Sequence, residues 1–490
     1  MTGIDLGQVL YLCTRYAVQC SSEANAEAFQ SSSSFAYRYN ASQLVVRESM
    51  WTRATNGYTR AISWATYIFM TVEMLLPSRV DSAMALDIFG IALTLRYAIP
   101  MVFAMLLVYG SIRKCALQGV ITKRRTRAAL APLLWILPLL VSVLFNNDAW
   151  GANKEGTAYA LVCYMLPPLL MSLVIVVCPT TFDIRRLERR LLMTILAIAV
   201  TAALSIFDRL DIGFIGISLS SIYGYRADFW RYISPMGGAI TTGFVFQNAA
   251  IVCLYRAIDD RYGAYRNRGY RTNMALAAGF SVMTILGLSR GNALALLAGL
   301  VLTIAWSPMS TERKVRTVFW AIVGIALLTV AFAWYSVRTL APLARFIPRH
   351  ASSGMLSSSD TIRLNSARVA LKAVTEYPLT GSGMAKLWPR DWLTEIRVVG
   401  GCAVAREPHN AFALIGSEAG LAGMVGFLCG GLCIAASIPK RLFGYRAVAL
   451  SALVFCLVSS DIFVSIKVAT CFFALLGLAV ATCVAAIEKD

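Results

Sequence analysis

The chain has 490 residues, 58% of them hydrophobic and only 14% charged, with a mean hydropathy of +0.64 and a formal net charge of +19. A soluble protein of this length needs a larger charged surface, so the composition excludes that class. It points to a polytopic helical membrane protein, because backbone groups in lipid must be satisfied within their own segment, and the excess of Lys and Arg then bears on topology rather than on nucleic acid.

Residues 1–60, with "SSSS" at 31–34, lack the ordered basic, apolar and small-residue regions of a cleaved signal peptide. They read as a loosely ordered cytoplasmic tail, and a start assigned too early would look the same. Apolar runs near the ~18–20 residues that cross a bilayer then recur. They predict an all-α bundle of about 12 spans, at roughly 61–77, 83–109, 128–145, 158–178, 191–206, 237–255, 273–288, 291–306, 317–336, 411–437, 444–460 and 462–487. Spans 1–9 thus occupy 61–336, a large outer loop 337–410, and spans 10–12 with a short C-terminus 411–490. "RLDIGFIGISLSSIY" (209–223) reads as loop or as a re-entrant piece.

The loops after even-numbered spans are "SIRKCALQGVITKRRTR" (111–127), "DIRRLERR" (183–190), "YRAIDDRYGAYRNRGYR" (255–271), "STERKVR" (310–316) and "PKRLFGYR" (439–446). They hold about 21 Lys and Arg against about six in the short loops opposite, which places them and both termini in the cytoplasm. Arg209, Arg226, Arg231 and Arg290 then lie outside, with all of 337–410. In that loop, "RLNSARVALKAVTEYPLTGSGM" (363–384) repeats Leu364, Ala367, Leu371 and Val374 at helical spacing before Tyr377-Pro378 and Gly381/Gly383 stop the helix. The pattern predicts an amphipathic helix over the outer mouth of the bundle, or a surface helix that merely caps the spans.

The twelve Cys are scattered and mostly lie in apolar runs, with no CxxC or Cys/His metal spacing, so neither disulfide framework nor zinc site is expected. His409, one of two histidines, follows Pro408 at the start of the tenth span. An unperturbed imidazole titrates near ~6.5 and accepts a proton at neutral pH. On the same face, Arg290 sits in the tight link "GLSRGNALALLAG" (287–299), and Arg226 and Arg231 in "YRADFWRYISPMGG" (225–238). Singly, each suits a snorkelling anchor; together they suit a polyanionic ligand such as a diphosphate, which guanidinium forks bind well.

His409-Asn410, nine residues, then Gly420-Leu421-Ala422-Gly423 resembles the H-N-x9-G-x-x-G signature of the O-antigen ligase and O-antigen polymerase superfamily. In the family's order, "SRG" (289–291) opens a span, an Arg-rich loop precedes "GFVFQNAA" (243–250), and "YPLTGSGM" lies in the large loop. The resemblance covers roughly residues 200–440. It implies a cofactor-free, metal-independent glycosyltransferase of the bacterial inner membrane with its active site facing the periplasm. The donor is a glycan on undecaprenyl diphosphate. Ligases pass it to a lipid A–core sugar, polymerases to another lipid-linked repeat, and protein O-oligosaccharyltransferases to Ser or Thr. The family's catalytic His maps onto His409 and its second diphosphate arginine onto Arg290. Its first maps less cleanly, onto Arg231 with Arg226 as substitute, because Arg231 lies well upstream of Asn248.

The expected chemistry has His409 as general base for the attacking sugar hydroxyl, with the arginines on the departing diphosphate and inversion at the anomeric carbon. Asn410 orients the imidazole, contacts a sugar or caps the helix. Arg363 and Arg368 meet phosphate or acceptor, or are solvated charges. Gly420 and Gly423 permit close packing, and Trp388 and Trp392 stack on sugars or sit at headgroup level. Membrane lipids are partners and nucleic acid is not. The slight preference is for a ligase over a polymerase. The rival class is a transporter or lipid-linked glycan flippase, suggested by the intramembrane charges Glu73, Asp87, Arg96, Glu418 and Lys467. Against it, no internal repeat is visible.

Overall fold

The structure is a computed structural model that describes residues 57–76, 86–88, 91–93, 95–118, 123–146, 154–178, 183–209, 232, 234–236, 238–262, 269–287, 289–320, 323–324, 354–388, 396–399, 402–405, 408, 410–458 and 466–487. Helices carry the fold. In chain order they are α1 (57–75), α2 (Leu95–Gln118), α3 (Lys123–Leu130), a 3-10 turn (Ala131–Trp135) leading into α4 (Leu137–Phe145), α5 (Lys154–Val177), α6 (Ile184–Arg209) and α7 (Ala239–Tyr262). There follow α8 (Tyr270–Leu286), α9 (Arg290–Trp306), α10 (311–320), α11 (Gly354–Glu376), α12 (Ala411–Ser437), α13 (Phe443–Val458) and α14 (Ile466–Ile487). Among the described residues five helices are long and apolar enough to cross a membrane: Arg125–Phe145, Gly156–Val177, Ala411–Ser437, Lys440–Val458 and Ile466–Val484.

Two short antiparallel hairpins interrupt the all-helical expectation. β1 (Leu86–Ile88) pairs with β2 (Ile91–Leu93), Ile88 opposite Ile91. This hairpin occupies the start of the run read as the second span, so the helix there begins only at Leu95. Alternating apolar residues satisfy a strand pair as well as a helix when the run is short. β3 (Ile396–Val399) pairs with β4 (Cys402–Ala405) within the large loop. The basic stretch 183–190, read as a loop, is instead largely the first two turns of α6.

One basic end of the bundle is bound by buried charge. Arg125 is buried, and its Nη1 donates to Cys178 O at 2.5 Å, where a cation also suits the carboxyl end of α5. Arg256 of α7 grips Glu188 of α6 in a fork, both N–O distances 2.6 Å, and the Tyr445 hydroxyl of α13 donates to the same carboxylate. Such a pair is costly to bury and costlier to break, so it fixes three helices to each other.

Helix directions follow from side-chain contacts. Arg446 lies over the Trp306 ring, 5.2 Å from its centroid, while a β-carbon on Gly299 would lie 3.1 Å from the Ser451 Cβ. α9 and α13 therefore run antiparallel. Asn292 contacts Ile240 and Gly299 contacts Ile251, so α7 and α9 run parallel. The Asn410 side chain reaches Leu457, and Gly431 packs on Leu453, so α12 and α13 are antiparallel. The amino ends of α7, α9 and α12 consequently share one end of the bundle.

Candidate functional site

At that shared end, α9 begins on a side-chain cap. Ser289 adopts an extended backbone, and its hydroxyl accepts the Asn292 N–H at 3.3 Å, so Arg290 is the first helical residue. The cap satisfies one of the free N–H groups of the first turn. α8 ends at Leu286, and the link to α9 is as short as its sequence implies. The Arg290 side chain lies outside the described residues, as do Arg226, Arg231 and His409 entirely.

The chain neighbours of these residues are described, and they converge. Asn292, two residues after Arg290, is fully buried, and its Nδ2 donates to Ile240 O at 2.9 Å in the first turn of α7. Tyr232, next to Arg231, is buried beside the same turn. A β-carbon on Gly243 would lie 2.2 Å from Asn292 Nδ2 and 3.4 Å from the Tyr232 hydroxyl. Gly243 is thus the spacer that lets both polar groups reach α7. The Tyr232 hydroxyl, Asn292 Oδ1 and both amide atoms of Gln247, one turn further along α7, have no hydrogen-bond partner among the described residues. Buried polar groups without partners are uncommon and concentrate where a ligand, water or strain explains them.

Asn410, the neighbour of His409, caps α12. Its Oδ1 accepts the Ala413 N–H at 3.1 Å, and its Nδ2 donates to Leu457 O at 2.6 Å. Capping was one of its expected roles; the tether to α13 was not anticipated. Antiparallel pairing relates the two helix starts. From Gly299 back to Arg290 is about 14 Å, and from Ser451 on to Leu457 about 9 Å, at ~1.5 Å per residue. The amino ends of α9 and α12 therefore flank the carboxyl end of α13 within about one helical turn.

α12 is broken at Gly420, whose φ of 66° and ψ of −164° lie in a region open essentially to glycine alone. Close packing is also present, since a β-carbon on Gly420 would lie 2.6 Å from Leu379 C and 2.7 Å from Gly381 N; the conformational role comes in addition. The freed backbone groups bond to the "PLTGSGM" turn. Leu421 N donates to Pro378 O at 2.8 Å, Ser382 N to Ser417 O at 2.8 Å and Gly383 N to Glu418 O at 3.1 Å. The fully buried Glu418 carboxylate accepts Ala385 N at 3.1 Å, Ser142 Oγ of α4 donates to Glu418 O at 2.7 Å, and Trp388 Nε1 donates to Ser417 Oγ at 2.8 Å. Trp388 is thus a buried anchor, neither a sugar platform nor a headgroup residue; Trp392 lies outside the described residues.

α11 shows a different buried face from the one its apolar spacing implied. Ser366, Ala370 and Ala373 face the protein, while Leu364 and Leu371 are exposed, at 52% and 65%. Small residues allow close approach to α12. Arg368 is exposed on α11; Arg363 belongs to the same helix, with its side chain outside the described residues. Of the intramembrane charges, Glu418 holds the turn and Lys467 Nζ donates to Leu76 O at 2.6 Å, whereas the side chains of Asp87 and Arg96 lie outside the described residues. Tyr232, Asn292, Ser417 and Glu418 were not singled out as site-forming residues; the available signal was a polar side chain set inside or beside an apolar run.

Comparison with curated proteins gives no match. The family model described as O-Antigen ligase matches residues 274–428, from early α8 through α9, α11 and the docked turn to beyond the break in α12. The match over residues 274–428 supports the O-antigen ligase/polymerase superfamily for that part of the chain.

Proposed function

We propose that this membrane protein is a glycosyltransferase of the ligase type, moving a glycan from undecaprenyl diphosphate to a lipid A–core sugar at the outer face of the bacterial inner membrane. The observation that carries the reading is the gathering of the amino ends of α7, α9 and α12 at one end of the bundle. Helix amino ends carry partial positive charge and free N–H groups, and favour anions. Tyr232 and Asn292, close in the chain to Arg231 and Arg290, both reach Gly243, and Asn410, next in the chain to His409, is tied to Leu457; these neighbours support the reading.

In this reading Arg290 and Arg231, with Arg226 as substitute, bind the diphosphate and offset the charge that grows as the glycosidic bond breaks. His409 takes the proton from the attacking hydroxyl, a contribution of roughly 10²–10⁴-fold. The hydroxyl oxygen bonds to the anomeric carbon as the diphosphate leaves from the opposite side, inverting the centre. Asn410 holds the start of α12; Arg363 and Arg368 on α11 meet the acceptor or its phosphates.

The test is reconstitution of the whole protein in liposomes with a lipid-linked glycan donor and either a lipid A–core acceptor or a second lipid-linked glycan. Transfer to lipid A–core supports the ligase reading. Chain extension of the lipid-linked glycan replaces it with the polymerase reading, and donor translocation without transfer contradicts both.

A further inference from the structure

We propose, on the catalytic reading above, that Glu418 is a positioning residue: it clamps the 378–388 turn into the break of α12, and so sets the direction of the half-helix that leads back to His409. The break divides α12 into 411–419 and 421–437, joined through one non-helical residue. A joint of this kind does not fix an angle by itself, because the non-helical residue interrupts the regular helical bonds that would span it. The turn takes their place, supplying Ser382 N to Ser417 O, Gly383 N to Glu418 O and, in exchange, Pro378 O to Leu421 N. The Ser382 hydroxyl makes a second bond to Ser417 O at 2.8 Å.

Glu418 holds the turn with both backbone and side chain, as does Ser417 through its carbonyl to Ser382 and its hydroxyl to Trp388, but Glu418 alone of the two does so with a buried carboxylate. Its carbonyl accepts Gly383 N and Ser142 Oγ, and its carboxylate accepts Ala385 N. Gly381, Gly383 and Ala385 all have positive φ, and the N–H groups of Ser382, Gly383 and Ala385 go to Ser417 O, Glu418 O and the Glu418 carboxylate in turn. The fit is tight, since a β-carbon on Gly381 would lie 2.4 Å from Ala419 N. The turn follows directly on α11, with Gly381 N bonded to Tyr377 O at 3.0 Å, so movement of α11 is passed to the half-helix through these bonds.

Leverage makes the clamp matter for catalysis. From Gly420 back to Ala411, two residues after His409 in the chain, is about 14 Å along the half-helix at ~1.5 Å per residue. A swing of only about 4° at the break moves the far end by about 1 Å, a displacement that costs on the order of 100-fold in rate where reacting groups must be aligned. A residue that merely held the fold together would lower the amount of inserted protein without altering the turnover of what remains.

The experiment compares wild type with Glu418→Leu, Glu418→Gln and Gly381→Ala, each reconstituted at equal folded amounts, with a purified polyprenyl-diphosphate-linked glycan as donor. Hydrogen exchange is read over 378–388 and 411–419, and kcat is separated from donor KM. Expected are faster exchange in both segments together in Glu418→Leu, kcat lowered about 10–100-fold, and donor KM within about threefold of wild type. Glu418→Gln, whose amide oxygen still accepts Ala385 N, should recover most of kcat. Gly381→Ala, which displaces the turn and leaves the carboxylate intact, should reproduce the same split. Unchanged exchange in Glu418→Leu, faster exchange with unchanged kcat, or a loss carried by donor KM would each overturn the proposal. His409→Ala in parallel separates the two ideas: wild-type transfer by that variant removes the catalytic reading, while the exchange data still judge the clamp.

Discussion

Asn410 and Leu457 join the start of one helix to the end of another: the Asn410 amide donates to the Leu457 carbonyl at 2.6 Å while its oxygen caps α12 through Ala413 N. One side chain thus closes a helix and anchors the residue beside His409 to α13. The two functions separate by substitution. Asn410→Asp keeps a good cap but loses the donor and sets a carboxylate against a carbonyl. Asn410→Ala loses cap and tether together, about 1 kcal/mol for each. Thermal unfolding of the purified protein should show both variants destabilised, with Asp no better than Ala; wild-type stability in Asn410→Asp would mean that the tether contributes nothing.

Gly420 and Gly279 offer a contrast within one protein. At Gly420 the backbone is in a glycine-only region, and a β-carbon would meet Leu379 C and O at 2.6 Å. Gly420→Ala should cost at least about 1–3 kcal/mol from the backbone alone, with the contact adding to it. At Gly279, inside α8, a β-carbon meets nothing within 4 Å, so Gly279→Ala should be neutral or stabilising by up to about 1 kcal/mol. Denaturation midpoints of the two variants measure the difference, and equal midpoints would contradict the broken-helix description.

The Glu188–Arg256 fork predicts a large asymmetry between buried and exposed pairs. Both partners are nearly inaccessible, at 5% and 9%, and Tyr445 shares the carboxylate. Glu188→Ala leaves a buried guanidinium with its main partner gone and should cost about 3–5 kcal/mol. Glu312 and Arg316 on α10 form an exposed pair at 3.0 Å, 80% and 69% accessible; Arg316→Ala should change stability by less than about 0.5 kcal/mol. Comparable losses in the two variants would show that burial does not govern these pairs.

Tyr232 supplies a prediction of opposite sign. Its hydroxyl is buried beside Gly287 and Gly243 with no hydrogen-bond partner among the described residues. Tyr232→Phe should leave stability unchanged or slightly raised, because an unsatisfied buried group carries a desolvation cost of about 1–3 kcal/mol. A clear loss of stability would show that the hydroxyl is bonded within the fold.

Much of this architecture is legible in the residue order. The start of α12 behind Pro408 and the tight link between α8 and α9 follow from local patterns of apolar run, cap and helix breaker, which depend on few neighbours. The buried face of α11 was not legible. Leu364 and Leu371 mark an apolar stripe, but the small residues Ser366, Ala370 and Ala373 took the contact instead, because they allow a closer approach of the helix. The docking of "PLTGSGM" was likewise hidden, because Ser382 and Ser417 meet across 35 positions in the chain and nothing local in either segment specifies the other. For the same reason Trp388 was read as a surface aromatic, although its indole is a buried donor to Ser417.

The central claim, that the ends of α7, α9 and α12 form one catalytic centre, is tested most directly by single-turnover glycan transfer in proteoliposomes preloaded with lipid-linked donor. His409→Ala should bind donor like wild type and transfer at least about 100-fold more slowly. Arg290→Lys, which keeps charge and loses the fork, should weaken both donor binding and transfer. Transfer at the wild-type rate by His409→Ala would contradict the account.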